Sequence, residues 1–168
     1  FPSPAWFLRT TEFKQNMIDN NHAIRWSPSE IGEGRFGEWL FNNVDWALSR
    51  DRYWGTPLPI WVNEKDPSDW ICIESFAHLD SLCGGLPENF DPHRPMVDDI
   101  TFPSPTPGKS GEMRRVPQVI DCWFDSGAMP FAQYHWPFEN RDHVAEQFPA
   151  DFICEGLDQT RGWFYSLH

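Results

Sequence analysis

The sequence is poor in lysine, which occurs only at positions 14, 65 and 109. Lysine and arginine together number 13 against 25 aspartates and glutamates, so the formal net charge at pH 7 is −12. Nucleic-acid binding depends on clustered lysine and arginine that neutralise phosphate groups. We therefore expect no autonomous nucleic-acid binding by this chain.

Long apolar runs and leader sequences are missing as well. No stretch approaches the roughly 18 consecutive apolar residues that a membrane helix requires. The first residues, Phe1-Pro2-Ser3-Pro4, contain no basic-then-apolar leader. We expect a cytoplasmic chain that has no signal peptide and does not contact a membrane.

Paired cysteines are absent. The spacings between the four cysteines are 11, 39 and 32 residues, which suggest neither a zinc site nor a disulfide framework. We expect buried free thiols in a reducing cytoplasm and no bound metal. One alternative stays open, although its spacing matches no common pattern: a metal held by Cys72, His78, Cys83 and His93.

A phosphate loop is also excluded. Gly108-Lys109-Ser110 matches the end of the G-x-x-x-x-G-K-S pattern, but the first glycine would fall at Pro103. Proline has no N–H to donate to a phosphate, and the surrounding segment is a proline-rich loop.

Aromatic residues and prolines are abundant. The 168 residues include 10 tryptophans and 16 prolines, and 40% are hydrophobic, which is too rich for a disordered chain. The length fits one medium domain or a piece of a larger one. We expect a globular protein with irregular loops.

Hydrophobic spacing predicts helices over residues 11–20 and 35–48. Residues 58–62 predict a strand, placed at a sheet edge because it contains Pro59. Residues 63–115 are polar and rich in turn residues, which indicates a loop-rich insertion. Within it we expect at most a short strand at 70–73 and a short helix at 75–82.

The last third predicts a sheet with helices, hence an α/β fold. Residues 116–123 and 151–154 are short apolar strands, and a glycine turn after the second leads into a helix that opens at Asp158 or Thr160. Ligands bind at such strand-to-helix junctions, which nominates Glu155, Asp158, Gln159 and Trp163. The alternative, in which Asp158 only caps its helix and Trp163 only packs, remains equally open.

Three ordered motifs resemble a known family. They are WALSRDRYWGTPLPIW at residues 46–61, DCWFDSG at 121–127 and EGLDQTRGWF at 155–164, extended by residues 129–133 and 149–152. The chain resembles class I aminoacyl-tRNA synthetases, in the part that follows the editing insertion. The second and third motifs look like the isoleucine-specific members, while valine- and leucine-specific members share the first. The resemblance covers nearly the whole chain and is weakest over residues 63–115.

The resemblance implies a Rossmann-like catalytic domain in three parts. Residues 1–62 would re-enter that domain, residues 63–115 would form the insertion, and residues 116–168 would form the second half of the core. Trp123 and Trp163 would wall the pocket for the isoleucine side chain. Glu155, Gly156 and Asp158 would contact the aminoacyl-adenylate around its ribose.

Gln159 would lie beside the amino acid and its reacting carboxyl group. The family uses ATP with Mg²⁺ and charges tRNA, here tRNA(Ile). Some members carry cysteine pairs in the insertions; residues 63–66 and 104–107 have none, so no zinc is expected here.

Both class I catalytic signatures are absent. No His-x-Gly-His occurs, and the three lysines leave no Lys-Met-Ser-Lys-Ser loop. We expect a fragment that keeps the amino-acid and ribose side of the site, holds no catalytic residue and is inactive alone. Three alternatives stay open: a fragment of a valine- or leucine-specific synthetase, an acidic tryptophan-rich carbohydrate hydrolase, and a non-catalytic binding module.

Overall fold

The computed structural model describes residues 4–168, which form two compact units. The first unit combines the chain up to Leu48 with Cys122–His168, and the second consists of Ser49–Asp121. The insertion predicted for residues 63–115 lies within the second unit.

The described residues contain short strands and helices. The strands are β1 (Phe7–Leu8), β2 (Trp46–Ala47), β3 (Ser49–Arg50), β4 (Ile60–Asn63), β5 (Asp66–Cys72), β6 (Phe102–Pro103), β7 (Glu112–Arg115) and β8 (Val119–Ile120). The α-helices are α1 (Lys14–Ala23), α2 (Gly37–Phe41), α3 (Phe76–Cys83), α4 (Cys122–Ala132), α5 (Arg141–Gln147) and α6 (Trp163–Leu167). A π-helical turn spans Gly32–Phe36, and 3-10 turns span Thr10–Phe13, Met96–Asp99 and Leu157–Arg161.

The first predicted helix forms, displaced toward its C-terminus, as a 3-10 turn followed by α1. The second, predicted over 35–48, ends at Phe41 and is wrong beyond that point. Phe36 and Leu40 are buried as expected, but Val44 is 73% exposed. The helix ends at the C-cap residue Asn42, whose side chain donates to the carbonyl of Glu38, a local bond of the kind that short amide side chains commonly make. The next residue, Asn43, bonds distant partners, since it donates to the carbonyl of Thr10 and accepts the hydroxyl of Tyr165.

The second unit is built on a four-stranded antiparallel sheet in the order β5-β4-β7-β6. The expected edge strand at 58–62 is therefore wrong in position, because β4 lies inside the sheet. Its proline is accommodated since Pro59 precedes the strand and only its carbonyl is used, by the N–H of Ile73. The core beside this sheet consists of Trp61, Ile73, Leu79, Val97, Phe102 and Met113.

The short helix predicted at 75–82 is confirmed as α3. Ser75 caps it by accepting the N–H of His78 on its hydroxyl oxygen at 3.1 Å. Gly84 ends it with φ of 81°, a left-handed conformation that glycine adopts without steric cost.

A hydrogen-bond network centred on Asp69 connects β4 and β5 with the segment that follows β6. Asp69 accepts hydrogen bonds from Asn63 at 2.8 Å, from Ser104 at 2.7 Å and from Thr106 at 2.7 Å. Asn63 also accepts the N–H of Lys65 at 2.9 Å. We call these residues (Asn63, Asp69, Ser104 and Thr106) the Asp69 network. It joins two chain segments about forty residues apart that the sequence suggested were only loops.

Two strands predicted in the last third are corrected. The apolar run at 116–123 forms a strand only at β8, which pairs antiparallel with β3, and the chain turns into helix at Cys122. Residues 151–154 form no strand in the described part of the chain, and Phe152 is 83% exposed. Apolar composition alone cannot make a strand, because a ladder needs a neighbour to accept its hydrogen bonds.

The cysteines are free thiols, but the expectation that they are buried is wrong. Cys72, Cys122 and Cys154 are exposed and Cys83 is half-buried. Helices and sheets together are consistent with an α/β protein. The strand pairs of residues 4–168 are all antiparallel.

Candidate functional site

The predicted site residues lie in the first unit, on α4, α6 and the turn before α6. Trp123 occupies the first turn of α4 and is 41% exposed. Trp163 is the first residue of α6 and is half-buried. Its indole Nε1–H donates to the carbonyl of Ser126 on α4 at 3.2 Å. The structure therefore places both indoles at one helix pair.

Gln159 joins this helix pair to the acidic turn. Its Oε1 accepts the backbone N–H of Trp163 at 3.0 Å, and its Nε2 donates to Asp158 at 2.9 Å. The amide thus caps α6 on one side and holds a carboxylate on the other. Asp158 does not cap the 3-10 turn, because it is the second residue of that turn and Gly156 occupies the N-cap position.

Glu155 and Gly156 lie on the exposed, extended segment before this turn. Gly156 precedes Asp158 so closely that a Cβ on it would lie 2.6 Å from the Asp158 carboxylate. Both acidic side chains face solvent, where carboxylates accept hydrogen bonds from hydroxyl and ammonium groups. The site residues fall into two groups, an indole pair on the helices and an acidic segment before them, and Gln159 connects the two.

Thr160 and Arg35 hold this turn; the sequence analysis named Thr160 only as a possible helix start and did not connect Arg35 with the site. Thr160 is fully buried and its hydroxyl donates to the carbonyl of Leu157 at 2.8 Å. The same oxygen accepts the Nε–H of Arg35 at 2.9 Å. A threonine bonding three residues back is a local signal that could have been recognised. The arginine lies 125 residues away, so no local pattern points to it.

Aromatic packing supports α6 from outside the site. Tyr165 packs edge-on against Trp39 at 5.8 Å between ring centroids, and Arg161 lies over the Trp39 ring at 5.1 Å. Phe164 lies edge-on to Trp26 at 6.0 Å. Rings in these orientations stabilise one another, so the helix that carries Trp163 is anchored on two sides.

Glu155 and Asp158 are exposed, whereas His168 is half-buried. His168 follows α6 and bonds the carbonyl of Met17 through Nε2 at 2.5 Å, which requires a ring N–H. Burial lowers the pKa of His168 because it disfavours the charged imidazolium. The hydrogen bond to Met17 connects the end of α6 to α1.

Among residues 4–168, no group of three or more histidine, cysteine, aspartate or glutamate side chains is placed to hold a metal ion. The four-residue metal alternative from Cys72 to His93 therefore finds no support in the geometry. No helix in the described part of the chain is long and apolar enough to span a membrane.

The class of protein follows from the comparison with protein families. A family model described as tRNA synthetases class I (I, L, M and V) matches residues 2–168. The chain belongs to this family.

Individual relatives are more specific. The chain is 55% identical over 169 residues to an isoleucine–tRNA ligase of Thermus thermophilus, which covers 100% of this chain. It is 52% identical over 169 residues to that of Thermobifida fusca, covering 98% of this chain, and 48% identical over 167 residues to that of Streptomyces avermitilis, covering 99%. In each case the match spans 16% of the relative's own length.

Proposed function

We propose that the protein containing this chain is an isoleucine–tRNA ligase, which forms isoleucyl-adenylate from isoleucine and ATP and then charges tRNA(Ile). The observation that carries the proposal is the pair of indoles, Trp123 and Trp163, brought to one helix pair beside Gln159. The names of the relatives support it, since they are 48 to 55% identical over nearly the whole chain.

The indole pair would form the walls of the amino-acid pocket. Flat, rigid aromatic rings bury a branched apolar side chain at low entropic cost. One missing methylene is worth only about 1–3 kcal/mol in such a pocket. Selection of isoleucine over valine at this site is therefore limited to what packing against these two rings supplies.

The acidic segment would bind the polar part of the adenylate. Glu155, Gly156 and Asp158 lie on the exposed segment before the 3-10 turn, where their oxygen atoms can accept hydrogen bonds from ribose hydroxyls. Gln159 links this segment to Trp163, and so to the position of the amino acid. Its place between the two groups suits a residue beside the reacting carboxyl group.

ATP with Mg²⁺ would be required by the full-length protein. The described residues supply the amino-acid and ribose side, and we assign no catalytic residue among them. Cationic stabilisation of the phosphate oxygens would have to come from other parts of the protein. When bound, Mg²⁺ would neutralise charge on those oxygens.

Zinc does not suit residues 63–66 and 104–107 of the insertion. Residues 63–66 and 104–107 hold no cysteine, and Asn63, Ser104 and Thr106 donate their hydrogen bonds to Asp69. Structural zinc sites use thiolates and imidazoles.

We further propose the three-part organisation, with residues 1–62 and 116–168 in a Rossmann-like catalytic domain and 63–115 as its insertion. Residues 151–154 have the apolar character of a strand, so in the proposed catalytic domain they would pair with a strand from another part of the protein. The net charge of −12 supports tRNA binding by other parts of the protein, and a cytoplasmic location follows from the activity.

Isoleucine-dependent ATP–pyrophosphate exchange by the full-length protein tests the proposal. We expect exchange with isoleucine, at least about tenfold weaker exchange with valine, and none with oligosaccharides or other unrelated ligands. A preference for valine or leucine would instead favour the other members of the family. The purified 168-residue chain should give no exchange, and measurable exchange by it would contradict the proposed division of the site.

A further inference from the structure

Gly127 in α4 lies directly against the backbone of α6. A Cβ built on Gly127 would lie 2.3 Å from the carbonyl oxygen of Ser166 and 2.9 Å from its carbonyl carbon. Ordinary van der Waals contacts of a Cβ begin at 3.4 Å. An alanine at this position would therefore force the two helix backbones apart by about 1 Å, since backbone atoms cannot rotate out of the way.

A neighbouring hydrogen bond holds the indole of Trp163 against α4. The Trp163 indole N–H donates to the carbonyl of Ser126, the residue before Gly127. Trp163 and Ser166 belong to the same helical turn of α6. A change in the spacing at Gly127 would therefore move the Trp163 ring relative to α4.

A second glycine limits the other indole. A Cβ built on Gly162 would lie 3.3 Å from Cη2 of Trp123 and 2.8 Å from Oε1 of Gln159. The ring of Trp123 thus packs toward the backbone of the residue before Trp163. Trp123 lies one turn before Gly127 in α4. The positions of both indoles therefore depend on how α4 and α6 pack against each other.

We propose that Gly127 and Gly162 are positioning residues that set the gap between Trp123 and Trp163, and thereby the size of the amino-acid side chain that the pocket accepts. The proposal rests on the proposed function, because it takes the two indoles as pocket walls. A displacement of about 1 Å approaches the length of a C–C bond, about 1.5 Å. That is the scale of the single methylene by which isoleucine exceeds valine.

The test compares three glycine-to-alanine variants of the full-length protein by ATP–pyrophosphate exchange. Gly127→Ala should lower the ratio of kcat/KM for isoleucine over valine by about tenfold, within the 10–200-fold range that a methylene supplies. The loss should lie in KM for isoleucine, and exchange with larger side chains such as methionine should rise. Gly162→Ala should give a smaller loss, roughly two- to threefold, because only side-chain ends must move.

Gly34→Ala is the matched control. Gly34 lies in the π-helical turn of the same unit, without positive φ, and nothing lies within 4 Å of a Cβ placed on it. Its isoleucine-to-valine ratio should equal that of the unmodified protein. Circular dichroism melts of all variants separate a loss of folding from a change in selectivity.

Each outcome decides one question. If the unmodified protein shows no isoleucine-dependent exchange, the proposed function fails. If it does, and Gly127→Ala and Gly162→Ala keep its ratio while losing only kcat or melting temperature, the glycines are structural and the present proposal is overturned. Should Gly127→Ala fail to fold, an unchanged ratio in Gly162→Ala overturns it alone.

Discussion

Asn63 offers the sharpest test of the Asp69 network. Asn63→Ala removes the amide that donates to Asp69 at 2.8 Å and to the carbonyl of Ser110 at 3.3 Å, and that accepts the N–H of Lys65 at 2.9 Å. Asn63 is 1% exposed, so water cannot replace these partners without rearrangement. The variant keeps the charge of the protein, which isolates the hydrogen bonds.

The expected loss can be worked out bond by bond. A hydrogen bond to a charged acceptor contributes about 1.5–3 kcal/mol, and a neutral one about 0.5–1.5 kcal/mol. The bond to Asp69 belongs to the first kind, and that to Lys65 to the second. The bond to Ser110 is long and contributes at the low end. The free energy of unfolding should fall by about 3 kcal/mol in total.

Urea unfolding of the 168-residue chain, followed by tryptophan fluorescence, measures this loss. We expect a lower midpoint with an unchanged m-value. Asn89→Ala is the control, since Asn89 is exposed in a turn of the same unit, and it should lie within about 0.5 kcal/mol of the parent. A loss below 0.5 kcal/mol for Asn63→Ala would refute the reasoning, because it would mean that the network contributes nothing net.

The remaining predictions concern charge and the site. Arg115→Met removes a guanidinium with a fully buried side chain that donates to Asp98 at 2.7 Å; because Asp98 keeps its ion pair with Arg94, the loss should be that of a hydrogen bond to a charged group, about 1.5–3 kcal/mol in urea unfolding. The hydrogen bond from Lys109 lowers the pKa of Asp66 to about 2. Because the folded pKa lies below the unfolded one, the stability that Asp66 contributes is fully present above about pH 4 and is lost as the pH falls toward 2. Acid titration of Asp66→Asn should show a smaller loss of stability over this range than the parent shows. Trp163→Ala in the full-length protein should raise KM for isoleucine and relax discrimination against larger residues in pyrophosphate exchange, and unchanged values would refute the pocket assignment. Glu155→Ala should weaken binding of a non-hydrolysable isoleucyl-adenylate analogue in calorimetric titration, whereas unchanged affinity would remove Glu155 from the site.

Local patterns predicted the elements whose causes are local. The helix predicted at 75–82 forms as α3, which Ser75 caps through a hydrogen bond only three residues long in sequence. The helix predicted at 11–20 also forms, although Phe13 of its apolar face is 61% exposed. Strands failed where their existence depends on a distant partner: β7 in the insertion forms because β4 and β6 lie on either side of it, and nothing in residues 112–115 announces that pairing. For residues 151–154 the prediction was wrong in the opposite direction: the apolar composition predicted a strand, but no neighbouring strand is present to pair with it in the described part of the chain.

The candidate site divides in a similar way. The motifs identified Trp123, Gln159 and Trp163 by resemblance. The structure places the two indoles on α4 and α6 and Gln159 in the 3-10 turn before α6. Arg35 escaped notice because its bond to Thr160 spans 125 residues, and Thr160 was named only as a possible start of the helix. The contact between the backbones of Gly127 and Ser166 produces no pattern of hydrophobicity or charge in the sequence. It can be recognised only from the three-dimensional structure.

The antiparallel pairing of β3 with β8 has a consequence for how the chain folds. Because Ser49 pairs with Ile120, the two ends of the second unit are neighbours once that unit has folded. The entropic cost of closing the long loop between the two halves of the first unit grows as the logarithm of loop length. That cost is lower once the second unit has brought its own two ends together. During synthesis the second unit is complete before the last 47 residues of the first emerge. Variants that weaken the second unit, such as Asn63→Ala, should therefore slow the folding of the first unit, although they change none of the native contacts within it.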